Sequence, residues 1–347
     1  VKNWKKGFVF SSLALALIMG GCGSAENSTN AAGNTQGSAG STVTGKLSFY
    51  TSQPEDDVAK LTAGFNGQYP DVQVEVFRSG TEEVVTKLQA EKTAGAVQAD
   101  VLLLADSVTF EGLKQQDLLL SYKSPELSEI PADLVDPDGM YSGTKVIATI
   151  LAHNTSKVSA APTSWHVLTD AASKGQSIMP SPLYSGAAAY NVGVFTRTDG
   201  FGWDFFQGLK DNAMTVIKGN GAVLKAVASG EQSYGVVVDY MVAREKAKGS
   251  PIELNYPQEG VPIITEPIAI MNNTKNEAAA KAFVDYVLSE DGQKLAAEIG
   301  YTPIRKGVAA PEGLKAIGDM TILSGDIKTL TAEREADKQQ FTKLFGQ

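Results

Sequence analysis

Lys46-Leu-Ser-Phe-Tyr-Thr51, Val72-Gln-Val-Glu-Val-Phe77 and Asp100-Val-Leu-Leu-Leu-Ala105 are the stretches whose reading decides the fold. The second alternates apolar and polar residues strictly, as a half-buried strand does. The third is a short continuous apolar run of the kind buried on both faces of a parallel sheet. Between them lie helical patterns. Val58, Leu61 and Phe65 recur at helical spacing, and residues 79–93 carry Val84, Val85 and Leu88 on one face. Strand, helix, strand, helix, strand predicts an open α/β sheet with its ligand edge at the strand C-termini.

Further along, Lys145-Val-Ile-Ala-Thr-Ile-Leu-Ala-His-Asn154 is a long β-like segment, read as a first crossing between two lobes, with Asn154 stabilising the hinge. Strands near 177–179, 216–218 and 234–238 predict a second α/β lobe. Val261-Pro-Ile-Ile-Thr-Glu-Pro-Ile-Ala-Ile-Met271 reads as one returning crossing, on which Glu266 is a hinge or salt-bridge residue. A single long helix is expected over 278–298, and helices over 312–347. The expected division is lobe one at 44–147 plus 268–310, lobe two at 148–267, and C-terminal helices at 311–347 packing on the lobes. Trp165, Trp203 and Phe205 are read as packing residues, and His153 as hydrogen-bonded structure.

The front of the chain has a different character. Lys2, Lys5 and Lys6 precede the apolar run Phe8–Met19, which is short for a permanent span and has the shape of a secretory leader. Met19-Gly20-Gly21-Cys22 follows. It resembles the lipobox of bacterial lipoproteins, with methionine where leucine is usual, so residues 1–21 are expected to be removed and Cys22 to carry lipid. Residues 22–43 are Gly, Ser, Asn, Ala, Thr and Gln with little else, a composition that cannot bury a core and predicts a tether.

Composition limits the chemistry. The 347 residues are 43% hydrophobic and 20% charged, with a formal net charge of −9, which argues against a nucleic-acid partner. Cys22 is the sole cysteine, and His153 and His166 are the two histidines, so neither a cysteine metal cluster nor a histidine-based catalytic triad is recognisable. No enzymatic activity, cofactor or resident metal is expected.

Phe49-Tyr-Thr-Ser52, Ala99-Asp-Val-Leu-Leu103, His153-Asn-Thr155, Ser181 to Asn191, Ala228-Ser-Gly-Glu231, Tyr256-Pro-Gln-Glu-Gly260 and Phe283 to Arg305 together resemble the extracellular solute-binding proteins of the ferric-ion, hexose-phosphate and aminoethylphosphonate type. The resemblance covers 46 to about 310. It implies a two-lobed periplasmic-binding-protein fold of type II, with mixed sheets, flanking helices and hinge strands that close on one ligand. It also implies an extracytoplasmic protein, monomeric and tethered by lipid, that delivers a solute to an ABC permease and ATPase.

The ligand stays open at this level. Ferric-binding members carry adjacent tyrosines where this chain has Asp239-Tyr240. One tyrosine beside an aspartate weakens the iron reading, although Tyr184, Tyr190, Asp239 and Tyr240 offer hard oxygen donors. The favoured alternative is a sugar phosphate or phosphonate. Ser79-Gly80-Thr81 and Ser185-Gly186-Ala187 precede helices, whose free N–H groups and dipole suit an anion. Ser79 and Glu82 also have the spacing of a capping box, which would commit the serine to its own helix. Thr51 and Ser52 end the first strand, Tyr190 follows the second turn, and Asn220 precedes a further helix. Asp239, at the end of an apolar strand, is read as the acceptor for sugar hydroxyls or an ammonium, with a solvated loop as the plainer reading. Asp106 would repel phosphate and is placed toward the ligand's other end or outside the site.

Overall fold

The computed structural model describes residues 42–346. The leader, Cys22 and the tether up to residue 41 lie outside those residues.

Lobe one is built on β1 (Gly45–Thr51), α1 (Glu55–Gln68), β2 (Val72–Arg78), α2 (Thr81–Thr93), β3 (Val101–Leu103), α3 (Ser107–Lys114), β4 (Leu119–Leu120) and β5 (Ser142–Gly143). The chain then enters lobe two through β6 (Lys145–Asn154), followed by β7 (Ser177–Pro180), α4 (Gly186–Phe195), α5 (Gly202–Asp211), β8 (Thr215–Ile217), α6 (Asn220–Ala228), β9 (Tyr234–Val238), α7 (Asp239–Ala247), β10 (Ile252–Asn255) and β11 (Val261–Ile264). It returns to lobe one with β12 (Pro267–Met271), α8 (Glu277–Leu288) and α9 (Glu290–Ile299). It ends with β13 (Thr302–Pro303), β14 (Ile322–Leu323) and α10 (Ile327–Phe345).

The first sheet runs β2-β1-β3-β12-β4, with β1 parallel to β2 and β3, and β12 antiparallel to β3. The second runs β14-β11-β6-β9-β7-β8, with β10 and β13 also on β6. β6 is buried along its whole length: Val146–Ala152 is apolar apart from Thr149, and the buried Lys145 at its start pairs with Glu266. Around it pack Trp165, Phe195, Phe205, Val237 and Phe341, while Phe49, Phe65 and Phe283 centre the core of lobe one. Trp165 donates its indole N–H to the Gly260 carbonyl at 2.8 Å.

The crossings differ in detail from the expectation. The stretch 261–271 is two strands, because Thr265 and Glu266 switch the chain from one sheet to the other, Glu266 at φ 27°. They do so beside the first crossing. Thr144 N–H donates to the Thr265 carbonyl at 3.1 Å and Thr144 Oγ1 to the Glu266 carbonyl at 2.7 Å. Asn154 is far from this hinge, at the other end of β6, where it donates to Val227 O at 2.8 Å. The long helix expected at 278–298 is two. Ser289 takes an extended conformation and its Oγ accepts from Gly292 N–H, so the same residue ends α8 and caps α9. A Cβ on Gly292 would stand 2.0 Å from the Tyr286 carbonyl, which shows how tight the corner is. The C-terminal segment is not a set of helices: β14 joins the second sheet beside β11, a single 3-10 turn precedes it, and α10 alone follows. No helix among the described residues is long and apolar enough to cross a membrane.

Candidate ligand-binding site

The lobes meet around a cavity of about 320 Å³. Strand C-termini and the helix starts that follow them supply its wall. β1 delivers Ser52, the β2–α2 turn delivers Arg78, Gly80 and Thr81, and β3 delivers Ala105. From lobe two, the β7–α4 turn brings Tyr184 to Ala187, the β8–α6 turn Lys218 to Ala222, and the β9–α7 junction Val238, Tyr240 and Met241. Ile147, Ile264 and Glu266 come from the crossing strands.

The lobes are in contact. Glu82 N–H donates to the Tyr184 carbonyl at 3.3 Å. A Cβ on Gly80 would lie 2.5 Å from that same carbonyl, and one on Gly186 would lie 2.9 Å from Ala105 O and from the Thr81 side chain. Only glycine allows the backbones to approach this closely.

Three hydroxyls in the wall are held as acceptors. Ala105 N–H donates to Ser52 Oγ at 3.2 Å and to Thr81 Oγ1 at 3.3 Å. Ser185 Oγ accepts from Ala188 N–H at 3.3 Å, as the cap of α4, and from Asn220 Nδ2 at 3.4 Å. None of the three donates to another described group, so their O–H hydrogens are free for a ligand. The N–H groups of Gly186, Ala187, Asn220 and Gly221 have no backbone acceptor among the described residues, as first-turn donors do not. Arg78 is anchored by Nε to Gln53 O at 2.8 Å. Lys218 spans the lobes, 2.9 Å from Glu83 and 4.6 Å from the Tyr184 ring centre. The site thus presents hydrogen-bond donors and positive charge from both lobes.

The hinge side is different. Glu266 is the one carboxylate among the described lining residues, buried and 2.7 Å from Lys145 Nζ. Tyr240 is also buried. Its hydroxyl accepts from Tyr301 at 3.3 Å, with the rings 4.2 Å apart. Burial, reinforced by Glu266, pushes the Tyr240 phenol far above its ordinary value, so it stays protonated. No group of three or more His, Cys, Asp or Glu suited to a metal ion occurs among the described residues.

Of the residues singled out from sequence, Ser52, Gly80, Thr81, Ser185, Gly186, Ala187, Asn220 and Tyr240 line the cavity, as does Tyr184. Four others do not. Thr51 is fully buried and donates to Leu103 O at 2.9 Å. Ser79 neither lines the cavity nor caps α2: Gly80 is the cap residue, and Ser79 Oγ donates to Glu83. Glu82 is turned instead to Arg334 and Lys338. Tyr190 packs at the edge of the lobe-two core, where burial and then Asp106 push its phenol up to about 12. Asp239 lies beneath the wall, 2% exposed, accepting from Tyr240 N–H at 2.8 Å, Ala148 N–H at 3.2 Å and the Tyr256 hydroxyl at 3.3 Å. Asp106 is likewise outside the cavity, capping α3 through Thr109 N–H at 2.8 Å. The residues missed from sequence are Arg78 and Lys218 as cations, Gly219 in the α6 turn, and Glu266 as a wall residue; Gly221, read with Asn220 as a helix-end contact, does line the cavity. The run Lys218-Gly-Asn-Gly221 between a strand and a helix carried the signal for the α6 turn. Nothing local marked Glu266.

A family model described as bacterial extracellular solute-binding protein matches residues 60–321. Iron uptake protein A2 of Synechocystis is 25% identical over 268 residues, 72% of this chain and 76% of that protein. A probable ABC transporter periplasmic-binding protein of Sinorhizobium fredii is 26% identical over 243 residues, 67% of each. Among solved structures, the periplasmic binding protein AfuA of Actinobacillus pleuropneumoniae with fructose-6-phosphate bound is similar at a TM-score of 0.81 and 24% identity, covering 87% of this chain and 98% of that one.

Proposed function

The chain belongs to the bacterial extracellular solute-binding proteins, the substrate-binding components of ABC importers, and we propose that its cavity captures a small phosphate monoester or phosphonate. The observation that carries this reading is the convergence of three acceptor-held hydroxyls, Ser52, Thr81 and Ser185, with the starts of α2, α4 and α6 on one cavity. A tetrahedral dianion needs many donors, and each helix end alone contributes only about 0.3–1 kcal/mol. Arg78 and Lys218 add charge from both lobes, so binding draws the lobes together. Glu266, beside Lys145, stands where the notional role of Asp239 would fall, as acceptor for hydroxyl or amine hydrogens on the rest of the ligand. The cation-rich wall opposes the net negative charge of the whole chain, so recognition is a local field, as focusing in a cleft allows.

The alternative is ferric iron, favoured by the name of the Synechocystis relative and by the presence of Tyr184, Tyr240 and Glu266 in the wall. Against it, Tyr190 and Asp239, the other oxygen donors named for iron, lie outside the cavity wall. The front of the chain belongs to the same reading: cleavage before Cys22 and acylation there would tether the receptor beside its permease, and incorporation of a labelled fatty acid that Cys22→Ser abolishes tests it.

The deciding experiment is a thermal-shift screen of the protein against hexose phosphates, glycerol phosphates, aminoethylphosphonate, inorganic phosphate and ferric citrate. A ligand bound only by the folded state raises the midpoint by mass action. A rise with an organic phosphate or phosphonate, reduced in Ser185→Ala, is the expected result. A rise with ferric citrate alone, accompanied by a tyrosinate charge-transfer band, overturns the phosphate reading in favour of iron.

A further inference from the structure

α10 is rooted in lobe two. Phe341 is fully buried in that lobe's core, and Leu330 packs onto α4 where a Cβ on Gly193 would meet it at 2.9 Å. Arg197, just beyond α4, pairs with Asp337 at 2.7 Å. Yet the intervening turn of α10 faces lobe one. Arg334 donates from Nη2 to Asp106 at 2.9 Å and to Glu82 at 2.7 Å, with a further bond from Nη1 to Asp106 at 3.2 Å. Lys338 reaches Glu82 at 2.6 Å.

The lobe-one partners are the immediate neighbours of the donor wall. Glu82 follows Thr81, and Asp106 follows Ala105, whose N–H orients both Ser52 and Thr81. Asp106 holds a left-handed conformation, φ 67°, with its carboxylate fully buried. Such a residue persists only where the surroundings determine it, and Arg334 supplies that determination from the other lobe.

We propose that α10 is an interlobe clasp, in which Arg334 is a positioning residue that holds the α2 and α3 starts of lobe one against lobe two and favours the closed arrangement before a ligand arrives. Among the described residues, two other ion pairs join the lobes, and both are poorly suited to this. Lys218–Glu83 is exposed on both sides, where solvent screens it. Arg244–Asp57 sits beside Tyr301, next to the crossing strands, where rotation moves the lobes least. The carboxylates Glu82 and Asp106 of the Arg334 cluster are buried, and the cluster lies away from the crossings, so opening must break it. Because it concerns closure of the empty protein, the clasp stands or falls independently of the ligand class.

The test uses the full chain without ligand, carrying Cys22→Ser and spin labels at Lys60→Cys on α1 and Lys210→Cys on α5, both exposed positions on opposite lobes. Interlobe distances are read by double electron–electron resonance. The parent should show a dominant short distance. Arg334→Gln should raise the ratio of open to closed molecules by about tenfold or more, since losing one partner of a buried cluster leaves carboxylates unpaired in the closed form. If that variant does not fold by circular dichroism, Arg334→Gln/Asp106→Asn carries the same test, because it removes the clasp while leaving Glu82 paired with Lys338. A distance distribution in the folded variant that matches the parent's, or a parent already as open as the variant, overturns the clasp.

Discussion

Asp239→Asn separates burial from ligand contact more sharply than any other change. Asp239 Oδ1 accepts from Tyr240 N–H and Ala148 N–H, and the amide oxygen of asparagine can keep both bonds. The Tyr256 hydroxyl, which donates to Oδ2, can turn to accept from the new amide. Shape and bonding are therefore preserved and only the charge is lost. Burial pushes the Asp239 carboxyl up to about 7, against the lowering effect of those hydrogen bonds. Its value in the unfolded chain is about 3.9. Between those limits the folded protein holds a proton that the unfolded chain has released, so stability falls as pH rises, by about 1.4 kcal/mol per unit. Over about three units, the wild type should lose at most ~4 kcal/mol that the variant keeps. The penalty is absent below about pH 4 and saturates above the folded value. The assay is urea unfolding of both proteins from pH 4.5 to 8.5, read as the difference in midpoint at each pH. The variant should gain on the wild type with rising pH and level off near 7 to 8. Parallel curves would refute the assignment of a buried, protonatable carboxyl. Binding of an organic phosphate should be unchanged in the variant, whereas a large loss would return Asp239 to the cavity wall.

Gly186→Ala puts a methyl within 2.9 Å of Ala105 O and Thr81 Cβ. It should therefore resist closure, lengthening the interlobe distance of the unliganded protein and weakening organic-phosphate binding tenfold or more by calorimetry. Ser185→Ala removes both the proposed ligand donor and the α4 cap. The expected cost is about 1 kcal/mol in unfolding free energy and about 1.5–3 kcal/mol in binding to a charged phosphate, so an affinity loss no larger than the stability loss would argue against the donor role. Thr51→Val breaks the buried bond to Leu103 O and should destabilise by about 1–3 kcal/mol with no change in affinity. Phe341→Ala opens a hole in the lobe-two core and should cost about 3–5 kcal/mol, measured by denaturant unfolding.

The local patterns determined the frame. Strict alternation in 72–77 and the apolar run at 101–105 were sufficient to place β2 and β3, because period is a property of neighbouring residues, although burial on β2 departs from the alternation at Val76, which is exposed. The turn at 183–187 was legible as a helix start after a strand, from a cap residue followed by glycine, and it lines the cavity. What the sequence left undecided turned on one residue of phase or on contacts across the chain. Val238 and Tyr240 line the cavity while Asp239 between them points beneath it, and Ser52 lines it while Thr51 does not. Side chains at a strand end alternate faces, so a single step of register sends a polar residue to the ligand or into the core. Glu82 matches a local cap in sequence, yet two cations more than 250 residues away claim its carboxylate. Glu266 enters the wall because two crossings 121 positions apart, at Lys145 and Glu266, fold side by side. Composition and spacing fix which elements form and roughly which turns line the cavity. Only the packing of the two lobes decides which polar groups keep a free hydrogen bond to offer a ligand, since each buried group that finds a protein partner is lost to it.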